Sequence, residues 1–161
     1  MPEVFLICGK LCSGKSTYAD ELRREISAVV LSVDEITLAL FGQGAGSRLE
    51  HYVEKTKEYL YKKSLEIIGA GTNVVLDWGF WTRKERGSAR EFYSSRGIET
   101  VFCYIDIGPE EWQRRIEKRN AEVLEKRSET YSYYVDEGLA AKFEMTFEPP
   151  DRREIDVWIN Q

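Results

Sequence analysis

The sequence predicts an α/β fold in which a parallel sheet is covered by helices on both faces. Two observations predict it. Short continuous apolar runs alternate with longer segments whose apolar residues recur at helical spacing, and the first of those runs breaks at a glycine-rich turn just before the first helix. A chain of 161 residues is about the size of one domain, so a single unit over 1–161 with one active site is expected.

Val4 to Cys8 is an apolar run that stops at a turn, the pattern of a strand buried on both faces. Helical spacing begins at Lys15 and continues to about Ser27, and Ala28 to Ser32 then reads as a second strand. A short helix over Glu35 to Phe41 gives way to Gly42-Gln43-Gly44-Ala45-Gly46, where the glycines predict a mobile loop. Leu49, Tyr52, Val53, Thr56, Tyr59, Leu60, Ile67 and Ile68 form the apolar stripe of one long helix ending near Gly69. Asn73 to Asp77 is a third strand. Thr82 with Glu85 three residues on is a capping-box signal for a helix that runs to about Arg96 and stops at Gly97. Thr100 to Asp106 is a fourth strand, Pro109 opens the next helix, and a last helix and a short strand over Ile155 to Ile159 follow.

With 42% apolar and 32% charged residues the composition is that of a soluble globular protein, and no apolar run approaches the roughly 18 residues of a membrane helix. Met1 to Cys8 passes straight into a strand with no basic region or cleavage site, so a cytoplasmic address is expected. Cys8, Cys12 and Cys103 form no CxxC pair and read as reduced, structural thiols. A net charge of -5 disfavours a broad electrostatic grip on nucleic acid, because that grip comes from clustered Lys and Arg. Nothing in the sequence speaks to the oligomeric state.

The chemistry sits first in Gly9-Lys10-Leu11-Cys12-Ser13-Gly14-Lys15-Ser16, which matches GxxxxGK[ST] at every fixed position between a strand and a helix. The glycines let the backbone turn so that N–H groups converge, and the helix N-terminus adds positive dipole where phosphate oxygens would sit. This run through Thr17 is therefore the candidate cradle for ATP. Lys15 supplies a point charge to the β and γ phosphates and Ser16 a hydroxyl to Mg²⁺.

Asp77 ends a buried strand, where ligands of parallel sheets bind, and reads as a second partner for Mg²⁺ or as a plain strand-end cap. Asp34, at the corresponding end of the preceding strand, reads either as the base for an attacking hydroxyl or as the N-cap of the helix after it. Arg83, Arg86 and Arg90 share one helix face, as substrate contacts or as a solvated surface. Arg115 and Arg119 lie beside Trp112 and Ile116 and lean inward, and Arg suits a phosphoryl group whose charge is spread over three oxygens; Glu111 offers Arg115 a surface partner instead. Trp78, Phe80 and Trp81, placed beyond the third strand's end, read as walls of an acceptor pocket or as core. His51 reads as solvated, and Tyr131, Tyr133 and Tyr134 as packing at the start of the last helix.

The P-loop, Val33-Asp34-Glu35, the run Leu76-Asp77-Trp78-Gly79-Phe80-Trp81-Thr82-Arg83 with Glu85-Arg86, then Arg114-Arg115-Ile116-Glu117-Lys118-Arg119-Asn120, and Phe147-Glu148-Pro149-Pro150 together resemble a family of small bacterial ATP-binding P-loop kinases. That group also includes chloramphenicol phosphotransferase, the zeta toxins and the polynucleotide kinase domain. The resemblance runs almost end to end and implies a P-loop three-layer sandwich of the nucleoside-monophosphate-kinase type, with strand order 2-3-1-4-5 and a short lid over about 112–131. It implies Asp77 for Mg²⁺, Asp34 for the acceptor hydroxyl, Arg115 and Arg119 as lid arginines, and Pro150 with Pro149 near the adenine. Within the lid, Lys126 and Arg127 carry no further family pattern. The function expected is phosphotransfer from ATP, with Mg²⁺, to a hydroxyl of a small molecule. A 5′-hydroxyl polynucleotide or nucleoside kinase and a non-catalytic nucleotide-binding regulatory module are the alternatives.

Overall fold

The computed structural model describes residues 1–125 and 133–161. The expectations for Lys126, Arg127 and Tyr131 lie outside the described residues. The strands are β1 (Val4–Gly9), β2 (Ala28–Ser32), β3 (Asn73–Gly79), β4 (Thr100–Asp106) and β5 (Val157–Asn160). The helices are α1 (Lys15–Ile26), α2 (Val33–Phe41), α3 (Leu49–Gly69), α4 (Arg83–Ser94), α5 (Pro109–Glu125) and α6 (Glu137–Thr146). The sheet is parallel throughout in the order β2-β3-β1-β4-β5, the order implied by the resemblance.

Alternation along β1 divides the core, because successive side chains of a strand point to opposite faces. Val4, Leu6 and Cys8 pack with Val74, Leu76, Phe80, Tyr93 and Phe102, and partly buried Tyr61 and Leu65 of α3 close that face. Ile7 packs the other way, with Ala19 and Leu22 of α1, Val75, Cys103 and Ile105. Each fully buried Leu, Ile or Val contributes about 1.5–3 kcal/mol against exposure. A third cluster, built from Cys12, Ile107, Trp112, Ile116, Val135 and Phe143, joins the P-loop turn to α5 and α6.

Three local differences from the sequence reading matter for the site. First, α2 begins at Val33 because Ser32 caps it, its hydroxyl accepting from the Glu35 N–H at 3.3 Å. Asp34 is therefore a first-turn residue and not the cap. Second, β3 continues to Gly79, so Trp78 lies within the strand. Opposite β1, Ile7 faces Asp77 and Cys8 faces Gly79, which leaves Trp78 as an extra residue in a bulge. Bulges re-aim side chains beside active sites. Third, the glycine-rich segment folds into two short 3₁₀ turns, Gly42–Gly44 and Gly46–Arg48.

Candidate active site

The P-loop turn is built by backbone that few residues adopt. Gly14 has φ 98° and Cys12, unusually for a residue with a Cβ, has φ 58°. Gly14 is also the N-cap of α1, so the helix dipole opens onto the turn. From behind, α5 braces the loop by its carbonyls. Trp112 Nε1 donates to Leu11 O at 2.7 Å, and Arg115 donates to Ser13 O at 2.8 Å. Lys10 Nζ sits 4.6 Å from the centre of the Trp112 ring.

A cavity of about 80 Å³ opens over this turn, lined by Leu11 to Ser13, Lys15, Ser16, Asp34, Asp77, Trp78, Trp81 and Arg119. Lys15 Nζ donates to Lys10 O at 2.6 Å, and burial pulls its pKa down against the opposing pull of Asp77 and Asp34. Ser16 Oγ donates to Asp77 Oδ2 at 2.8 Å, and Asp77 is only 6% exposed. Asp34 stands at the cavity mouth with a solvent-facing surface. The protein around it pushes its pKa up, while Lys15 pulls it down and Asp77 raises it further. Arg119 reaches the same cavity from α5 and has no hydrogen-bond or ion-pair partner among the described residues.

The structure thus brings together Lys15, Ser16, Asp34, Asp77, Trp78, Trp81 and Arg119. It does not bring in every residue marked in the sequence. Arg115 lies behind the loop, held by Ser13 O, Glu111 at 2.9 Å and Gln161 at 2.9 Å. Phe80 is fully buried in the core: it follows Gly79 (φ 86°) with its own φ at 49°, and its ring packs with Val4, Leu6, Cys8 and Phe102. Arg86 is 2% exposed and structural, donating to Phe80 O at 2.9 Å and to Glu154 Oε1 at 2.9 Å. Arg83 is exposed and faces Asp151 at 3.4 Å, while Arg90 donates to Glu154 O. The arginine face of α4 therefore holds the segment leading into β5.

Pro150, expected near an adenine, is buried on that segment and does not line the cavity. The backbone on either side of it is engaged: Glu148 N–H donates to Trp81 O at 2.8 Å, and Asp151 caps the Arg152–Glu154 turn. The capping signal at Thr82 is met by its hydroxyl, which accepts from the Glu85 N–H, whereas Glu85 accepts from Trp81 N and pairs with Lys57.

Sequence reasoning missed Thr37 and Tyr133. Their hydroxyls are 2.6 Å apart, which ties the chain at Tyr133 to α2 one turn beyond Asp34. Burial raises the Tyr133 pKa, and Asp34 adds to that. No spacing rule joins residues 37 and 133. Asn120 on α5 bonds both backbone groups of Val135 at 2.7 Å.

The model of the AAA_33 family, described as an AAA domain, matches residues 4–150. Adenylate kinase isoenzyme 1 of Sus scrofa is 26% identical over 158 residues, spanning 88% of this chain and 81% of that protein. APS kinase CysC of Mycobacterium tuberculosis, solved with AMPPNP and APS, has a TM-score of 0.68 at 18% identity, covering 99% of this chain and 88% of its own. Chaetomium thermophilum Kti12, solved with ADP-AlF3, has a TM-score of 0.70 at 16% identity, covering 98% and 88%. At these identities the two solved structures speak to the fold alone, a P-loop kinase-like nucleotide-binding fold. No described helix is long and apolar enough to cross a membrane.

Proposed function

The chain belongs to the AAA_33 family of AAA domains, and from that premise we propose that it is an ATP- and Mg²⁺-dependent phosphotransferase whose acceptor is a hydroxyl of a small molecule. One observation carries this reading: two carboxylates share the cavity, and they differ in engagement. Asp77 is bonded to the P-loop hydroxyl of Ser16, whereas the Asp34 carboxylate faces the same space with no bonded partner among the described residues. A module that only binds nucleotide needs the first and has no use for the second.

The residues fit Mg²⁺ by their chemistry. Ser16 and Asp77 are hard oxygen donors already 2.8 Å apart, and Mg²⁺ is usually held by one or two carboxylates together with substrate phosphates. When bound, the ion supplies charge neutralisation at the phosphate oxygens. The chain's own residues do the rest. The loop N–H groups and Lys15 hold the triphosphate, Lys15 exchanging its present bond to Lys10 O for a phosphate oxygen. Arg119 offers its guanidinium to the moving phosphoryl, and Asp34 orients the acceptor hydroxyl and takes its proton as the new P–O bond forms and the bond from the γ-phosphorus to the β–γ bridging oxygen breaks, releasing ADP. Arg115 contributes indirectly, by fixing the Ser13 carbonyl outward.

The test follows ADP formation from ATP across a panel of alcohols, sugars and nucleosides. ADP that accumulates only with an acceptor present upholds the reading. ADP formation indifferent to every acceptor, and unchanged in Asp34→Asn, would return the chain to a nucleotide-binding switch.

A further inference from the structure

A second cavity, of about 420 Å³, lies between α4 and the segment leading into β5, and it shares no lining residue with the cavity over the P-loop. Its volume falls in the range of small-molecule sites, roughly 300–1,000 Å³. Arg83, Arg86, Gly87 and Arg90 line it from α4, and Arg153 faces them together with Asp151 and Glu154. Four guanidinium groups thus meet two carboxylates, in a chain whose net charge is -5.

Both carboxylates are occupied within the wall. Glu154 Oε1 accepts from Arg86 Nε at 2.9 Å and its Oε2 from the Asp151 N–H at 2.9 Å. Asp151 Oδ1 accepts from the Arg153 N–H at 2.8 Å and its Oδ2 from Arg83 at 3.4 Å. Arg90 donates to the Glu154 carbonyl at 2.7 Å and sits over the Phe102 ring, with no carboxylate as counter-ion among the described residues. The exposed Arg153 side chain has no hydrogen-bond or ion-pair partner among them. Two positive charges are therefore uncompensated, and Arg83, itself exposed, stands beside them.

Gly87 is an independent observation. It sits inside a helix, where glycine is destabilising relative to alanine because it loses more backbone freedom on folding. No packing contact requires it, since a Cβ built there meets no atom within 4 Å. The open space over Gly87 faces the cavity, between arginines of the same helix.

We infer that this cavity is a binding site for a phosphorylated small molecule, separate from the nucleotide cavity. The uncompensated charges match a phosphate monoester, which carries about −1.5 to −2 at pH 7. All the lining cations are arginines, whose planar forks fit phosphate oxygens in pairs. Arg153 and Arg83 hold the phosphate, and Gly87 leaves room for the rest of the molecule along α4. The inference does not depend on the phosphotransferase reading.

The test is a calorimetric titration of the full chain, saturated with Mg·ADP so that the P-loop is filled. The probes are glucose 6-phosphate, ribose 5-phosphate and glycerol 3-phosphate, against glucose, ribose, glycerol and inorganic phosphate. At least one ester binds, its unphosphorylated parent does not, and inorganic phosphate binds more weakly. Arg153→Gln removes a side chain without a partner and weakens binding of that ester about tenfold, as for a lost charge-assisted bond. Gly87→Leu fills the space over α4 and weakens it as well, while its melting temperature does not fall below the parent's, because leucine favours the helix. Both variants keep the parent's affinity for Mg·ADP. The inference is overturned if no ester binds, if an unphosphorylated parent or inorganic phosphate binds as tightly, or if either variant binds the ester as the parent does. Loss of Mg·ADP affinity in Arg153→Gln would also overturn it, by making the two cavities one site.

Discussion

Asp34→Asn isolates the carboxylate's proton chemistry from everything else the residue does. Ser32, not Asp34, caps α2, so the substitution leaves the cap bond to Glu35 N–H intact. Two small electrostatic effects oppose each other. Losing a negative charge from the first turn of a helix costs about 0.3–1 kcal/mol. Against this, surrounding protein raises the Asp34 pKa, so its ionised form is disfavoured in the fold at neutral pH and its removal is partly favourable. The net change stays within about 1 kcal/mol, a melting shift of no more than about 2–4 °C. What is lost is the base, which typically contributes about 10² to 10⁴ in rate. Single-turnover transfer from ATP to an accepted alcohol falls by that order, while Mg·ADP affinity measured calorimetrically stays near the parent value. The pH profile adds a sign. A carboxyl whose pKa the surrounding protein raises is protonated, and useless as a base, at pH values where an ordinary aspartate of pKa about 4 is already ionised. The acid limb of the parent rate therefore lies above the usual carboxylate range and vanishes in the variant. Transfer at the parent rate would refute the reasoning, and loss of nucleotide affinity alongside transfer would move Asp34 to the metal site.

Lys15→Ala removes a charge aimed at phosphate and bonded only to the Lys10 carbonyl; nucleotide affinity by calorimetry drops about 10- to 100-fold, as for a charge-assisted bond, with secondary structure by circular dichroism unchanged. Arg86→Met takes the charged donor from the buried Phe80 carbonyl, leaving it only the weak Cys8 thiol, and leaves Glu154 only the 3.9 Å ion-pair contact with Arg83. Calorimetric unfolding should show a loss of about 3 kcal/mol or more, and a near-parental melting point with lost acceptor binding would instead return Arg86 to the site. Burial pushes the Cys8 thiol up to about 12 and the Cys103 thiol up to about 11, and raises Cys12 as well. Thiolate is the reactive form, so iodoacetamide at pH 8 labels the native chain slowly and labels three thiols once guanidinium unfolds it.

The sequence by itself determined the strands, the helices and the GxxxxGK[ST] turn, because these rest on local physics. Apolar runs of strand length, helical spacing and the GxxxxGK[ST] turn act within a few residues of one another. It also marked Asp34 and Asp77 by their place at strand ends, since a parallel sheet gathers those ends at one edge. The tertiary structure decided which marked residues face the cavity. Arg86 and Arg119 look alike in sequence, each an arginine on an amphipathic helix. Arg86 is claimed by Glu154 and the Phe80 carbonyl 68 and 6 residues away, while Arg119 is left to the cavity. The aromatic run after Asp77 was divided the same way. A bulge, together with positive φ at Gly79 and Phe80, buries Phe80 fully in the core while Trp78 and Trp81 line the cavity. Such backbone irregularities carry no periodic signal, and partners like Thr37 with Tyr133 meet only because the fold brings them together.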